Sequence, residues 1–189
     1  MSSHVLVVRL DSMGDMLAAG PAIRAVASRA QRVTVLAGPL GAEAARLLPG
    51  VDEVVVWACP WILNPAPDVS APEVAEVIRR VAGLGVDRAV ILTSFHQSPL
   101  PTALVLRLAG VPWIGASSED YPGSLLDARL PVPGEAPEPV RMLQIVGQAG
   151  FALPAGDDGR LAVHRPLPNV DAILRLEPEV PFVVVHPGT

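Results

Sequence analysis

Two aspartates four residues apart, Asp11 and Asp15, stand with Ser12, Met13 and Gly14 directly behind a short apolar run, Val5 to Val8. A positioned carboxylate can take the proton from an attacking hydroxyl, so this turn is the first place to look for chemistry. The same residue types also suit ordinary turn and helix-start duties. Asp15 reads equally as a first-turn residue favoured by a helix dipole, and Asp11 as a local turn acceptor. A second polar group, Ser94, Phe95, His96, Gln97 and Ser98, follows another apolar run. His96 is either a ligand or acid–base residue there or a structural histidine.

The elements that must position these groups follow from the hydrophobic pattern. Val5 to Val8 is too short for a buried helix and reads as a strand covered on both faces. A helix is expected from about Met16 to Arg29, with Pro21 either beginning a new first turn or kinking it. Further strands are expected at Arg32 to Ala37, Val51 to Trp57, Asp87 to Thr93 and Val111 to Gly115, with a short edge strand at Ala128 to Val132. Helices are expected at Leu40 to Leu48, Pro72 to Ala82, Pro99 to Leu108 and Glu138 to Ala149. A further short strand is read at Leu161 to Val163, a short helix at Val170 to Leu176, and a strand with a Pro-Gly turn at Val180 to Thr189. Regular strand–helix alternation argues an α/β domain with a doubly wound, mainly parallel sheet. In such sheets ligands bind beyond the carboxyl ends of the strands, where both polar groups fall.

Composition narrows the function classes. The chain has 189 residues, 50% of them apolar, and a formal net charge of -5. No global basic field is present to attract nucleic acid. All 14 basic residues are Arg, which excludes a lysine P-loop. The first turn lacks GxGxxG, and Asp11 and Asp15 are too far apart for a DxD motif. The single Cys59 has no partner for a disulfide and suits a reducing compartment. No His, Cys or carboxylate cluster has metal-ligand spacing, so no protein-held metal is expected. A cytoplasmic protein is expected, with peripheral contact at the inner face of the cell membrane left open.

The opening VLVVRLDSMGDMLAAGPAIRAV resembles that of glycosyltransferase family 9, the heptosyltransferase-like enzymes. VTVLAGP, VDEVVVW, RLAGVPWIG and the HPG at His186 to Gly188 resemble the family as well. The resemblance implies a GT-B architecture, two Rossmann-like domains facing across a cleft. Residues 1–178 would be the N-terminal, acceptor-side domain of three layers, and residues 179–189 the interdomain segment and the start of a C-terminal, donor-binding domain. It implies an inverting glycosyltransferase that uses an ADP-heptose-like nucleotide sugar as substrate, needs no cofactor, and transfers to a glycan, lipid-linked or other hydroxyl acceptor. Asp15 matches the family's catalytic base. Ser12, Met13, Gly14, His96, Gln97 and Thr189 are the expected substrate-binding residues, and His186 and Gly188 would shape the interdomain turn.

The sequence departs from that family at two places. Asp11 stands where Ser or Thr is usual; if both carboxylates face the cleft, their repulsion raises one pKa. Trp57, Trp61 and TSFHQSP occupy a region where basic residues would serve a phosphorylated, acidic acceptor. The tryptophans either stack on an acceptor or pack beneath the loop that follows Cys59. Glu119, Asp120 and Tyr121 read as a solvated loop or a carbohydrate-facing one. Two other functions fit the same residues: a non-catalytic glycan- or partner-binding module, and an unrelated nucleotide-binding α/β enzyme.

Overall fold

The structure, a computed structural model, describes residues 3–131 and 134–167 together with 181, 183 and 185. Among the described residues six strands form one parallel sheet: β1 His4–Arg9, β2 Arg32–Ala37, β3 Glu53–Val56, β4 Arg88–Ile91, β5 Trp113–Ser117 and β6 Ala128–Leu130. Their spatial order is β3-β2-β1-β4-β5-β6, so the chain reverses its direction of travel between β1 and β4. Among the same residues six α-helices cover the sheet: α1 Met13–Ala18, α2 Gly20–Ala27, α3 Ala42–Leu47, α4 Ala71–Leu84, α5 Leu100–Leu108 and α6 Glu138–Gln148. This is the α/β, Rossmann-like, three-layer arrangement that the alternation predicts.

The strands are apolar on both sides because both sides are buried. Along β1, Val5 and Val7 point into a core shared with α1, α2, α3 and α6, whereas Leu6 and Val8 point into one shared with α4 and α5. Met16, Ile23, Met142 and Ile145 fill the first core; Val77, Val81, Leu106 and Ile114 fill the second. Trp57 and Trp61 also belong to the second side, edge to face with ring centroids 5.1 Å apart. The Trp61 indole N–H donates to Thr102 Oγ1 at 3.1 Å. Of the two readings for this pair, the structure realises packing.

Register is set by a device used three times. Asp52, Asp87 and Asp127 each stand next to or at the foot of a strand and grip the start of the neighbouring one from both sides. Their backbone N–H groups donate to the carbonyls of Val33, His4 and Ile114, each at 2.9 Å. Their carboxylates accept from the backbone N–H of the same three residues at 2.7, 2.8 and 2.6 Å. Each pair closes a ring that fixes where one parallel strand begins against the next, at strand ends where the ladder supplies no partner.

Several expectations shift. The expected helix Met16 to Arg29 is two helices, and it begins three residues earlier. Pro21, the second residue of α2, starts a new turn where its missing N–H costs nothing. Hence Met13, Gly14 and Asp15 are helical. The strand expected at Val111 to Gly115 begins two residues later, because the Val111 N–H is spent closing α5 on Leu106 O at 3.1 Å. Leu161 to Val163 is not a strand: β3 and β6 already occupy the sheet edges. The segment instead lies over the helical layer, with Val163 against the first core and the His164 N–H on Leu47 O at 2.8 Å. The helix expected at Val170 to Leu176, and His186, Gly188 and Thr189, lie outside the described residues, as does most of the strand expected at Val180 to Thr189. Among the described residues no helix is long and apolar enough to cross a membrane.

Asp127 offers a test of the clamps. Burial pushes its carboxyl up, but the Ile114 amide and Arg107 outweigh burial and hold it below its ordinary value. Asp127→Ala should cost about 1–3 kcal/mol in urea unfolding at pH 7, the usual loss for charge-assisted hydrogen bonds left unmade. A depressed folded pKa means that the wild-type advantage is complete above about pH 4 and fades as pH falls through the folded value. The two unfolding curves should therefore converge on acidification.

Candidate functional site

The site forms where β1 ends, at the point of reversal in strand order, the position at which open α/β sheets bind ligands. Arg9 is the last residue of β1, and its side chain is fully buried. Three carboxylates from three elements converge on its guanidinium. Nε lies 3.1 Å from Asp11 Oδ2, Nη2 donates to Asp15 Oδ1 at 3.0 Å, and Nη1 lies 3.3 Å from Glu138 Oε1 at the start of α6. The contacts to Asp11 and Glu138 are close but off the line of a hydrogen bond, so they act as ion pairs. Nη2 also donates to Ser94 Oγ at 2.9 Å, which ties in the loop after β4.

Asp15 is held from two sides. It is the third residue of α1, and its Oδ2 accepts the backbone N–H of Ser12 at 3.2 Å and the Ser12 hydroxyl at 2.7 Å, while Oδ1 takes Arg9. The helix-start role and a chemical role therefore coexist in one residue. A carboxylate has about four lone-pair sites; three are filled, and the free one lies on Oδ1. The Asp15 side chain is 35% exposed, against 9% for Asp11. Burial pushes the Asp15 carboxyl up, but the Ser12 hydroxyl, the Arg9 charge and the Ser12 amide outweigh it and leave the group below its ordinary value. The expected repulsion required both carboxylates to face the cleft; Asp11 is instead nearly covered, and Arg9 lies within ion-pair distance of both.

Asp11 is engaged elsewhere. Its Oδ1 accepts the Gln97 side-chain amide at 2.5 Å, and Gln97 Oε1 in turn accepts the Ser94 backbone N–H at 3.3 Å. Asp11 thus ties the loop after β1 to the loop after β4. The backbone of the first loop is also braced by the loop after β2. A Cβ on Gly38 would stand 2.1 Å from Leu10 O, so that contact requires glycine, and one on Gly41 would stand 3.1 Å from Asp11 O, a tight fit. Arg141 completes the network: its Nε and Nη2 grip both oxygens of Glu138 at 2.7 and 2.8 Å, and Nη2 also donates to Thr93 O. This bidentate pairing is the main influence holding Glu138 below its ordinary pKa; burial opposes it, Arg9 adds to it, and Asp15 works against it.

Beside this network opens a cleft of about 300 Å³, between the loop after β4, the loop after β5 and Arg141. His96 stands exposed on its wall, edge to face with Phe95 at 5.1 Å. Gln97 lines the cleft while holding Asp11. Ser12, Met13 and Gly14 are exposed on the first turn of α1, next to Asp15. The structure thus pairs Ser12 with Asp15 and Gln97 with Asp11, joins the two pairs through Arg9, and sets His96 in the adjoining cleft. Sequence reasoning missed Arg9, Glu138 and Arg141, and placed Ser94 in the polar group after β4 without a role. A signal existed for the first of these: an arginine ending an apolar strand immediately before two aspartates needs a counter-charge.

Several solved structures resemble this chain. A glycosyl transferase family 9 protein from Veillonella parvula superposes with a TM-score of 0.66 at 16% identity, over 89% of this chain and 47% of that one. The E. coli heptosyltransferase WaaC with ADP-2-deoxy-2-fluoro heptose gives 0.59 at 18% identity, over 82% and 50%. The E. coli ADP-heptose lps heptosyltransferase II gives 0.51 at 21% identity, over 67% and 34%. The chain therefore has the glycosyltransferase family 9, heptosyltransferase-like fold, and it spans between a third and a half of the length of these structures. No family model matches the sequence, and no curated protein matches it.

Removing Arg9 should be costly, because it leaves clustered carboxylates without their shared cation. Arg9→Met is expected to lose about 3–5 kcal/mol at pH 7, the range for breaking a buried ion pair from one side. The loss should shrink in unfolding measurements at lower pH, as the uncompensated carboxylates protonate. Arg9→Lys, which keeps the charge, should recover part of it.

Proposed function

We propose that this chain is the acceptor-side half of an inverting glycosyltransferase in which Asp15 is the general base. One observation carries the reading. Asp15 joins partial exposure and an unfilled lone-pair site to a place on the first turn after β1, at the carboxyl edge of the sheet, whereas Glu138 is clasped on both oxygens by Arg141. The step follows from that geometry. An acceptor hydroxyl donates its hydrogen bond to the free site on Asp15 Oδ1, its oxygen attacks the anomeric carbon, and the proton passes to the carboxylate as the new C–O bond forms. The bond from the anomeric carbon to the nucleoside diphosphate breaks on the opposite face, and the diphosphate departs with the electron pair.

A base below its ordinary pKa is a weak one, but it is fully ionised at neutral pH. The hydroxyl proton becomes acidic only as its oxygen bonds to the anomeric carbon, so position matters more here than basicity. Ser12 and Arg9 supply that position. In this reading residues 1–178 form the acceptor-side domain, and residues 179–189 begin the donor-binding domain, where Thr189 contacts the diphosphate. The donor is an ADP-heptose-like nucleotide sugar; the neighbouring structure with ADP-2-deoxy-2-fluoro heptose supports that choice. Ser12, Met13 and Gly14, exposed on the first turn of α1, and His96 and Gln97, which line the cleft, bind substrate in this reading. The protein works at the cytoplasmic face of the envelope.

In the protein carrying both halves, Asp15→Asn should lower kcat by about 10²–10⁴-fold while donor binding and melting temperature hold. Wild-type kcat/KM should stay flat on acidification until below the ordinary carboxylate value of about 3.9. Turnover that survives in Asp15→Asn would sink the proposal.

A further inference from the structure

We propose that Ser94 is a positioning residue for Asp15, its hydroxyl pinning the Arg9 guanidinium in an orientation that directs Nη2 at the Asp15 carboxylate. This role deepens the reading of Asp15 as the base and rests on it. The way Arg9 spends its hydrogens carries the inference. A guanidinium has five N–H donors, and this one is fully buried. Among the described residues both of its hydrogen bonds leave from Nη2, to Asp15 Oδ1 at 3.0 Å and to Ser94 Oγ at 2.9 Å. Nε and Nη1 are buried without a hydrogen-bond partner among those residues, and so is Asp11 Oδ2.

The guanidinium is therefore contested. Asp11 Oδ2 stands 3.1 Å from Nε and Glu138 Oε1 stands 3.3 Å from Nη1, both off the line of an N–H. Hydrogen bonds left unmade in the interior are costly, so Arg9 gains by turning its unpaired edges toward these two carboxylates. Ion attraction depends on distance and does little to oppose such a turn, whereas a hydrogen bond weakens steeply with angle. Turning would carry Nη2 off both of its acceptors. Ser94 is the acceptor that resists it without itself being the group to be positioned.

Ser94 can resist because it is fixed on both sides. Just past β4 the Leu92 N–H donates to Val8 O at 2.9 Å, which keeps the chain alongside β1 up to the level of Arg9. Thr93 O accepts from Arg141. The Ser94 N–H donates to Gln97 Oε1 at 3.3 Å, and the Gln97 N–H donates back to Ser94 O at 3.0 Å. At Asp15 the Ser12 hydroxyl and amide settle Oδ2, so the direction left free on Oδ1 follows from where Nη2 sits. Ser94 also lines the cleft, so the residue that orients the base belongs to the wall an acceptor would touch.

The charges that bear on Asp15 are Arg9 from β1, Glu138 from α6 and, across Arg9, Asp11; Ser12 adds its hydrogen bonds from the start of α1. If Arg9 turns toward Asp11 and Glu138, Asp15 loses a directed partner and its carboxyl rises toward its ordinary value.

The test is a carbon-detected NMR titration of the protein with isotope-labelled aspartate carboxyls, the Asp15 signal being the one lost in Asp15→Asn. In Ser94→Ala the Asp15 carboxyl should titrate about half a unit or more above wild type. Ser94→Thr, which restores the hydroxyl, should titrate as wild type does. Ser98→Ala changes a serine of the same loop whose hydroxyl accepts the Leu100 N–H, and should leave Asp15 where it was. An Asp15 titration unmoved in Ser94→Ala, unrestored in Ser94→Thr, or moved as far in Ser98→Ala overturns the proposal. The readout needs no turnover, which separates it from the assignment of the base. A titration that moves as expected, with turnover surviving in Asp15→Asn, would keep Ser94 as the residue that orients Asp15 and remove Asp15 as base; an unmoved titration with turnover lost would do the reverse.

Discussion

The buried charge of Arg9 is the constraint on which the site depends. A guanidinium fully removed from water at the end of a sheet strand is tolerated only if opposite charges come to it. They come from the loop after β1, from the first turn of α1 and from the first residue of α6, with a hydroxyl from the loop after β4. Four separate pieces of chain are thereby fixed around one cation at the point where the strand order reverses. The surrounding orientation follows from it: Asp15 is turned by Arg9 and Ser12, and Glu138 is steadied from behind by Arg141.

Asp11 and Asp15 illustrate how one residue type divides into two roles by environment. Both touch Arg9, but Asp11 is nearly covered and spends its second oxygen on Gln97, which makes it a strut between two loops. Asp15 keeps an unfilled site on Oδ1 and a third of its side chain exposed. The difference lies in which neighbours arrive to fill lone pairs, a property of the folded molecule.

The sheet was legible in the sequence because its strands are β-branched runs buried on both faces, and hydropathy alone marks such runs. The errors arose where backbone hydrogen bonds, rather than hydropathy, decide the boundary. Val111 is as apolar as a strand residue, yet its N–H closes α5; Pro21 left a new first turn and a kink open, and the structure realises the first. The three strand-foot aspartates had a visible signature, since Val51-Asp52, Val86-Asp87 and Leu126-Asp127 repeat an apolar-Asp pair at the same place in successive units. Of the site, the local part was readable: the turn after β1 and the polar loop after β4. Arg9 was visible as a break in an apolar run, but its meaning was hidden. Glu138 and Arg141 lie more than 120 residues further on, and no local pattern links them to the first strand.

The reach of that last contact has a consequence for how the chain can be divided. α6 packs against α2 as an ordinary covering helix, and its first residue also serves as a counter-ion for β1. A piece ending after β6 would include the sheet strands and the turn that carries Asp15, but it would leave Arg9 one carboxylate short and Thr93 O without its arginine. The smallest stretch that keeps the electrostatics of the first turn intact therefore runs past Arg141. The opening turn and the helix that closes the sheet are, in charge, a single unit.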